Sequence, residues 1–439
     1  MLDVRGRAFA NIAMEFTKHG AVTLVVIGAG LRGREYARLA AASGRGRVVA
    51  VAEPDPDRRA SFAAEHGLAA DAVFADWREL GAAGRLADAA IIATQDRMHA
   101  DPAVLIAGLG YHLLLEKPMA PTEDEARRIA DAVSEAGVIG AVCHVLRYTP
   151  YSRMVQDLVG SGRLGSLVGV QHLEPVGWWH QAHSFVRGNW RNTAESGPML
   201  LTKSCHDLDW LTYVIGAAPE SVASFGGLAH FHPGNRPAGA ADRCLDCAVE
   251  PSCPYSAPRL YLSRLPSAGG RVTWPLSALT DEPSRAAVLA ALREGPYGRC
   301  VYDCDNDVVD NQVVAMQYPG GLTATFTMTA FTPMQRRQTR LFGTHGSVEG
   351  DGRLLHVTDF RTGATETIDS EGPGEGHAGA GHDGGDGGLV DAFLAAVAGD
   401  DPSRLSSDMA TSLASHRVVW AAEQARRTGT VVTLRPAES

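Results

Sequence analysis

Three glycines and one carboxylate near the start of the chain have the types and spacing of a dinucleotide site. Gly28, Gly30 and Gly33 form a G-x-G-x-x-G motif, and Glu53 follows Gly33 by 20 residues. The first glycine permits a tight turn, the second lets backbone approach a pyrophosphate, and the third allows close helix–strand packing. Glu53 can accept hydrogen bonds from the adenosine ribose and would repel a 2′-phosphate, so the pattern favours NAD over NADP.

The flanking segments meet the structural requirements of this motif. Residues 22–27 are an apolar run typical of a strand buried on both faces of a parallel sheet, helical periodicity begins at Leu31, and a second apolar run covers residues 47–52. The alternative is a glycine-rich turn in another α/β fold. Arg58 and Arg59 lie close enough to keep NADP open as the cofactor.

Lys117 is the next residue whose position suggests chemistry. It lies between Glu116 and Pro118, directly after an apolar run at residues 112–115. Proline restricts the residue before it to extended conformations. Beside a nicotinamide, the lysine ammonium could bond a substrate hydroxyl and stabilise an alkoxide. A surface lysine at a strand end is the competing interpretation.

These residues need a sheet to position them, and strands alternate with helices over residues 21–146. That alternation predicts a doubly wound parallel sheet, in which ligands bind at the carboxyl ends of strands. The polar residues at or just beyond predicted strand ends are Gln95, Asp96, His99, Glu116, Lys117 and His144.

Composition limits the classes of partner. The chain has 439 residues, of which 45% are hydrophobic and 21% charged, with a net charge of −10. A negative net charge argues against nucleic acid or an anionic membrane as partner. Residues 1–20 read as an N-terminal extension without signal-peptide features, so we expect a cytoplasmic protein.

An ordered series of motifs resembles the Gfo/Idh/MocA family of oxidoreductases, which includes relatives of glucose–fructose oxidoreductase and inositol dehydrogenase. The series runs through Gly28-Ala29-Gly30-Leu31-Arg32-Gly33, Glu53-Pro54-Asp55, Thr94…His99, Glu116-Lys117-Pro118, Arg147-Tyr148-Thr149-Pro150, Cys205-His206-Asp207-Leu208-Asp209 and Ser415-His416. The resemblance implies a Rossmann domain at residues 21–146. It also implies a C-terminal α/β domain at residues 147–439, with a large, mostly antiparallel sheet often used in homodimers or homotetramers.

The resemblance also implies an activity and a set of site residues. The usual chemistry is reversible NAD(P)-dependent oxidation of a secondary alcohol on a sugar, sugar derivative or cyclitol. Lys117 corresponds to the catalytic lysine, and His206 to the general acid/base. The expected cofactor residues are Gly28, Gly30, Leu31, Arg32, Gly33, Glu53, Thr94, Gln95, His99, Glu116 and Lys117. The expected substrate residues are His144, Arg147, Trp190, Arg191, Thr202, Lys203 and His206.

One position departs from the family pattern. Many members have an aspartate four residues before the histidine, where this chain has Thr202, and Lys203 follows. If the segment is one helix, residues 202 and 206 share a face. Thr202 supplies no negative charge, and Lys203 would tend to lower the pKa of His206, so the substrate set is expected to differ from that of inositol dehydrogenases.

Residues 178–192 combine aromatic rings with polar donors. Flat apolar faces beside donors suit a sugar ring, and the candidate pocket residues are His180, His183, Trp190 and Arg191. A packed aromatic core is the alternative.

Seven cysteines include a C-x2-C-x5-C cluster in an insertion near residues 240–305. Cys244, Cys247 and Cys253 form the cluster, and Cys300 or Cys304 could complete a tetrahedral set. The prediction, with Cys300 as fourth ligand, is a structural zinc site. Reduced thiols are the alternative.

Residues 370–388 are dominated by Gly, His, Asp and Glu and are predicted to form a loop. His382, Asp383 and Asp386 could touch a substrate or metal there, although a solvated loop is the plainer interpretation. A helix is expected over residues 389–397.

Three functional hypotheses follow. The first is an NAD-dependent sugar or cyclitol dehydrogenase. The second is a redox-neutral enzyme that retains NAD⁺ and cleaves a glycosidic bond by transient oxidation and elimination. The third is a non-catalytic protein that senses dinucleotides.

Overall fold

The computed structural model describes residues 20–267, 270, 272–371 and 382–434. The predicted N-terminal extension therefore lies almost wholly outside the described residues. The chain forms two compact units. The first comprises residues up to 165 together with 208–218 and 368–420, and the second comprises residues 166–207, 219–367 and 421 onward. No helix of the described residues is long and apolar enough to span a membrane.

The first unit is built on a six-stranded parallel sheet. Its strands are β1 Val22–Ile27, β2 Gly46–Ala52, β3 Val73–Phe74, β4 Ala89–Ile92, β5 His112–Leu115 and β6 Gly140–Val142. The strands lie in the order β3-β2-β1-β4-β5-β6. The chain therefore moves from β1 toward one edge of the sheet as far as β3, and then from β4 toward the other edge. The predicted doubly wound sheet is confirmed, and its ligand crevice is expected at the carboxyl ends of β1 and β4.

Helices connect these strands. They are α1 Leu31–Ala42, α2 Pro56–His66, α3 Trp77–Ala82, α4 Ala100–Gly108, α5 Glu123–Glu135 and α6 Pro150–Gly160. Local residues set their ends: Asp55 caps α2 by accepting from the N–H groups of Asp57 and Arg58, and Gly67 ends it with φ 62°. Thr122 caps α5 by accepting from the N–H of Glu125 at 3.3 Å.

Two late segments return to this unit. Helix α10 Gly385–Gly399 packs Leu389, Phe393 and Leu394 into the same core as Val22 and Tyr36. Helix α11 Met409–Thr428 places Met409 and Leu413 in the core on the other side of the sheet. Helix α10 begins four residues earlier than predicted, and residues 372–381 of the predicted loop lie outside the described residues.

The second unit has a nine-stranded, mostly antiparallel sheet, as expected. The strands are β7 Leu167–Pro175, β8 Ser221–Gly227, β9 Asn311–Gln317, β10 Thr323–Thr329, β11 Gln338–Gly343, β12 Gly346–Gly350, β13 Leu354–Asp359, β14 Thr365–Asp369 and β15 Val432–Thr433. Their order is β14-β13-β12-β11-β7-β10-β9-β8-β15, and β7 pairs with β10 in parallel. Side chains alternate between buried and exposed along β9 and β10, so one face of the sheet is covered.

Three further helices lie outside the two sets described so far, together with shorter helical segments between residues 178 and 202. Helix α7 Cys205–Ile215 begins in the second unit and continues into the first. The predicted insertion contains α8 Ala257–Leu262 and α9 Arg285–Glu294. An antiparallel bridge between Arg243 and Arg299 closes its base.

Candidate active site

The turn from β1 into α1 has the geometry that a dinucleotide requires. Gly28 has φ +92°, and a Cβ on Gly33 would lie 2.0 Å from the carbonyl oxygen of Gly28. At Gly30 a Cβ would meet no protein atom within 4 Å. Gly30 is also the N-cap of α1 and supplies no side-chain cap. The first and third glycines are therefore needed by the fold, and the second leaves open space in front of uncapped N–H groups, where a pyrophosphate would fit.

Glu53 lies at the end of β2 and is 5% exposed. Its Oε2 accepts the N–H of Ala29 at 2.7 Å, and its Oε1 accepts the N–H of Asp55 at 3.0 Å. Each carboxylate oxygen has a second lone pair, so a ribose hydroxyl can still be accepted. Arg59, which kept NADP open, donates to the carbonyl oxygens of Glu53 and Pro54.

The carboxyl ends of β4 and β5 lie side by side because these strands are parallel neighbours. Beyond β4, Gln95 is exposed and Thr94 donates its hydroxyl to the carbonyl of Met98 at 3.0 Å. Burial raises the pKa of Asp96, against the opposing effect of His99 and Lys117. Lys117, half-buried beyond β5, is thus close enough to Asp96 to affect its ionisation.

Arg32, an expected cofactor residue, is partly exposed and joins a charge network with two buried carboxylates. Its Nε donates to Glu116 Oε1 at 2.6 Å, and its Nη2 donates to Asp386 Oδ1 at 2.5 Å. The Tyr36 hydroxyl donates to Glu116 at 3.0 Å. Burial acts to raise the pKa of Glu116, but Arg32 and Lys117 outweigh it and hold the pKa below its usual value. Asp386 is fully buried, so the solvated-loop interpretation is wrong for this residue.

His99 is also a predicted cofactor residue, and the structure surrounds it with backbone. Its side chain is fully buried. The ring Nδ1 is 2.8 Å from the carbonyl oxygen of Pro118, and Nε2 is 3.2 Å from that of Thr94. These contacts favour a role in holding the polypeptide beside Lys117.

His144 and Arg147, predicted to bind substrate, lie in a buried cluster around Asp209. Arg147 forms two hydrogen bonds to Asp209, from Nε at 2.6 Å and from Nη2 at 2.7 Å. His144 Nδ1 is 3.6 Å from Asp209 Oδ2, and burial lowers the His144 pKa to about 3. These contacts favour a structural role for both residues.

His206 is 4% exposed on the first turn of α7. The expectation that residues 202–206 form one helix is wrong. A short helix, Met199–Thr202, ends before Lys203 and Ser204 make a turn, and α7 starts at Cys205. The Ser204 carbonyl accepts the Asp207 N–H at 3.0 Å within this turn.

A charged network in the second unit surrounds the segment that carries His206. Lys203 Nζ lies 3.2 Å from Glu174 Oε1, so its charge is balanced by a carboxylate that the sequence analysis did not identify. Arg337 Nη2 lies 3.0 Å from Glu174, and its Nε lies 2.5 Å from Asp207. Burial acts to raise the Asp207 pKa, but Arg337 and His172 hold it well below its usual range.

The sequence contained a weak signal for this network. His172 and Glu174 are two residues apart on β7, at positions that face the covered side of the sheet. Charged side chains at such positions need partners. The identity of the partners could not be read from the spacing.

The aromatic stretch at residues 178–192 divides into core and surface. His183 stacks on Tyr297 with ring centroids 4.9 Å apart, its Nδ1 is 2.7 Å from the Tyr261 hydroxyl, and burial lowers its pKa to about 3. The packed-core alternative therefore describes His183. Trp190 remains 39% exposed, while Arg191 is paired with Asp305 at 3.0 Å.

The predicted zinc ligands Cys244, Cys247, Cys253 and Cys300 line one cavity of about 20 Å³. However, no three His, Cys, Asp or Glu side chains among the described residues are arranged to hold a metal ion. The four cysteines form no disulfide with one another, and the zinc ligand set stays a prediction.

The individual sulfurs of this cluster have different surroundings. Cys244 Sγ accepts from the Arg187 guanidinium at 3.4 Å. Burial raises the pKa values of Cys253 and Cys300. These shifts describe the metal-free thiols, because a bound metal ion would itself promote the thiolate.

Family models match almost the whole chain. The oxidoreductase family with an NAD-binding Rossmann fold, GFO_IDH_MocA, matches residues 22–144, and its C-terminal alpha/beta domain matches residues 156–434. These two matches cover both of the units described above.

Curated relatives are more distant. YteT of Bacillus subtilis (strain 168), named an oxidoreductase, is 25% identical over 270 residues, 60% of each chain. The 2,7-anhydro-N-acetylneuraminate hydratase of Escherichia coli (strain K12) is 26% identical over 212 residues, 48% of this chain and 54% of the hydratase. The chain thus spans less than two thirds of the length of either relative.

A solved structure shares the fold. Levoglucosan dehydrogenase in complex with NADH and L-sorbose superposes with a TM-score of 0.68 at 18% identity, over 94% of this chain and 99% of that one. At this identity the likeness concerns the fold alone.

Proposed function

Since this chain belongs to the Gfo/Idh/MocA oxidoreductase family, we propose that it is an NAD-dependent dehydrogenase acting on a secondary alcohol of a sugar, sugar derivative or cyclitol. The observation that carries the proposal is the series of strand ends along one edge of the parallel sheet in the first unit. The ends of β1 and β2 lead to the open space at Gly30 and to the carboxylate of Glu53, and Lys117 follows β5, which is separated from β1 by β4.

The residues that would hold the cofactor fit it. The N–H groups at the start of α1 would bind the pyrophosphate, and Glu53 would accept a ribose hydroxyl. Bound NAD⁺ supplies the acceptor for the hydride of the substrate carbinol. The negative charge of Glu53, together with the engagement of Arg59 by backbone carbonyls, supports NAD rather than NADP.

Lys117 and His206 are the proposed catalytic residues, on the strength of the family motif. The Lys117 ammonium donates to the substrate oxygen and stabilises the negative charge that develops there. His206 accepts the hydroxyl proton as general base during oxidation and returns it during reduction. Thr202 and Lys203 precede His206 in the chain. Because Lys203 is paired with Glu174, these two side chains together add no net charge near His206.

The first experiment supplies the purified protein with NAD⁺ or NADP⁺ and a panel of sugars, anhydrosugars and inositols, and follows absorbance of the reduced nicotinamide. We expect turnover of at least one polyol with NAD⁺. His206→Ala should lower kcat by roughly 10²- to 10⁴-fold, the usual contribution of general acid–base catalysis, while the Kd for NADH changes little. Unchanged turnover in His206→Ala would remove this residue from the mechanism.

A redox-neutral reaction is the second candidate, because one relative is named a hydratase. Its signature would be conversion of a substrate with NAD retained by the protein and no accumulation of NADH. Mass spectrometry of the freshly purified protein tests for retained dinucleotide. Dinucleotide that co-purifies, with no bulk NADH formed from any polyol, would replace the dehydrogenase proposal.

A further inference from the structure

We propose that His99 and His416 are positioning residues that hold the peptide segment directly after Lys117 and thereby set where its ammonium lies. The inference rests on the proposed function, in which Lys117 binds the substrate oxygen. It gives a positioning role to two buried histidines, of which His99 is also an expected cofactor residue.

His416 holds this segment through the N–H group of Met119. The N–H of Met119 donates to His416 Nε2 at 3.1 Å. The other ring nitrogen, Nδ1, lies 2.8 Å from the carbonyl oxygen of Ser412 and must be the donor in that bond. The two bonds together select the tautomer with the proton on Nδ1, which leaves the Nε2 lone pair for Met119.

His99 holds the same segment through the carbonyl group of Pro118. Its Nδ1 lies 2.8 Å from the carbonyl oxygen of Pro118, a shorter contact than the 3.2 Å from Nε2 to the carbonyl oxygen of Thr94, so we assign the ring proton to Nδ1, which donates to Pro118. Pro118 and Met119 both lie beyond the last residue of β5, Leu115, so the strand ladder does not fix them. The two histidines provide hydrogen bonds to consecutive residues where the sheet has ended.

The chain before Lys117 is held by different groups. The Glu116 N–H donates to the Ile92 carbonyl at 2.8 Å, and Glu116 Oε2 accepts the Lys117 N–H at 2.5 Å. Arg32 and Tyr36 in turn fix the Glu116 carboxylate. Lys117 is therefore restrained on both sides, and the histidines supply the restraint on the carboxyl-terminal side.

The surroundings of His416 keep its ring neutral. The ring is fully buried, and it faces Asp209, Lys117 and His144. Burial lowers its pKa to about 4, with the Ser412 carbonyl and Asp209 opposing this and Lys117 adding to it. Near neutral pH the ring keeps an unprotonated Nε2, and a protonated ring would lose the acceptor that Met119 needs.

Errors in position are costly in catalysis. A misplacement of about 1 Å at a reacting group can lower the rate by about 10²-fold. A lysine side chain is long and flexible, so the placement of its backbone limits where the ammonium can go. We expect loss of either histidine bond to lower kcat by about tenfold or more, with little change in cofactor affinity.

The test uses pairs of variants that keep or misplace the polar atom. A glutamine side chain reaches the position of Nε2, and an asparagine side chain reaches that of Nδ1. His416→Gln should therefore restore part of the kcat lost in His416→Leu, whereas His416→Asn should not. For His99 the order reverses: His99→Asn should restore kcat lost in His99→Leu, and His99→Gln should not.

The readouts are kcat on the polyol found in the screen, the Kd for NADH by fluorescence, and Tm. A residue that merely stabilises the fold would lower Tm and the folded fraction, without the opposite rescue preferences in kcat. Full kcat in both leucine variants, or rescue that ignores the position of the amide, overturns the proposal.

Failure of the proposed function gives a different result. If Lys117→Met retains full activity, Lys117 is not catalytic and the proposed mechanism itself is wrong. If Lys117→Met is inactive while the histidine variants are unaffected, the positioning role alone is wrong.

Discussion

At the scale of single residues, Glu53 serves both the fold and the proposed choice of cofactor. Its carboxylate accepts the N–H groups of Ala29 and Asp55, which ties the end of β2 to the glycine turn. The same charge would repel a 2′-phosphate. Glutamine removes the charge and keeps one of the two acceptor oxygens, so the ratio of activities with the two cofactors, rather than stability, reports on the charge.

We therefore expect Glu53→Gln to lower the preference for NAD⁺ over NADP⁺, measured as the ratio of kcat/KM values, by about tenfold, equivalent to roughly 1.4 kcal/mol. Glu65→Gln is the matched control, because Glu65 is also acidic, is exposed, and pairs with Arg34 in the same unit. An unchanged ratio in Glu53→Gln would show that its charge does not select the cofactor.

At the scale of elements, the β1–α1 turn has two glycines with opposite requirements. A Cβ at Gly33 would lie 2.0 Å from a backbone oxygen, whereas a Cβ at Gly30 would lie in open space. Glycine at position 33 is therefore required for folding, whereas glycine at position 30 is required for the proposed cofactor binding. Two alanine substitutions distinguish them.

Gly33→Ala should lower Tm by several degrees, because backbone must move to admit the methyl group. Gly30→Ala should leave Tm almost unchanged and raise the Kd for NADH by roughly tenfold or more, because the methyl group would occupy the space meant for the pyrophosphate. Circular dichroism melting and fluorescence titration measure the two effects. Equal effects of both substitutions on Tm would contradict this division.

At the scale of the whole molecule, buried neutral histidines make stability depend on pH. Burial lowers the pKa of His144 and of His183 to about 3, and that of His416 to about 4, from the usual 6.5. Below pH 6.5 these histidines take up protons in the unfolded chain but stay unprotonated in the folded chain. The free energy of unfolding therefore falls as pH drops from 6.5 toward these values, by up to roughly 1.4 kcal/mol per pH unit for each histidine.

His183→Gln tests this dependence. Removing one such group should make the free energy of unfolding fall less steeply between about pH 6.5 and about pH 4.5 than in the unmodified protein. Urea unfolding at several pH values measures the slope. His345→Gln, at an exposed position, should leave the slope as it was; an equal change in both variants would assign the effect to something other than burial.

Much of the first unit could be predicted because its signals are local. Apolar runs of strand length, helical periodicity and the glycine spacing each depend on residues within about one β–α–β unit. Those signals identified β1, β2, β5, the glycine turn and the position of Lys117 at a strand end. The family resemblance extended them to the large antiparallel sheet of the second unit.

The cysteine cluster shows what local spacing leaves open. The four cysteines do line one cavity. Whether sulfurs converge on an ion depends on side-chain direction and on neighbours such as Arg187, which spacing does not specify.

The sequence by itself determined the parallel sheet, the dinucleotide turn and the lysine beside it, because neighbours along the chain create those patterns. Tertiary structure alone decided the partners: Asp386 for Arg32, His416 for the Met119 N–H, and Glu174 for Lys203. The first two of these pairs join residues 354 and 297 positions apart. Buried charges and N–H groups must be satisfied by whatever packing brings near, and packing of distant segments leaves no period in the sequence from which the partner can be read.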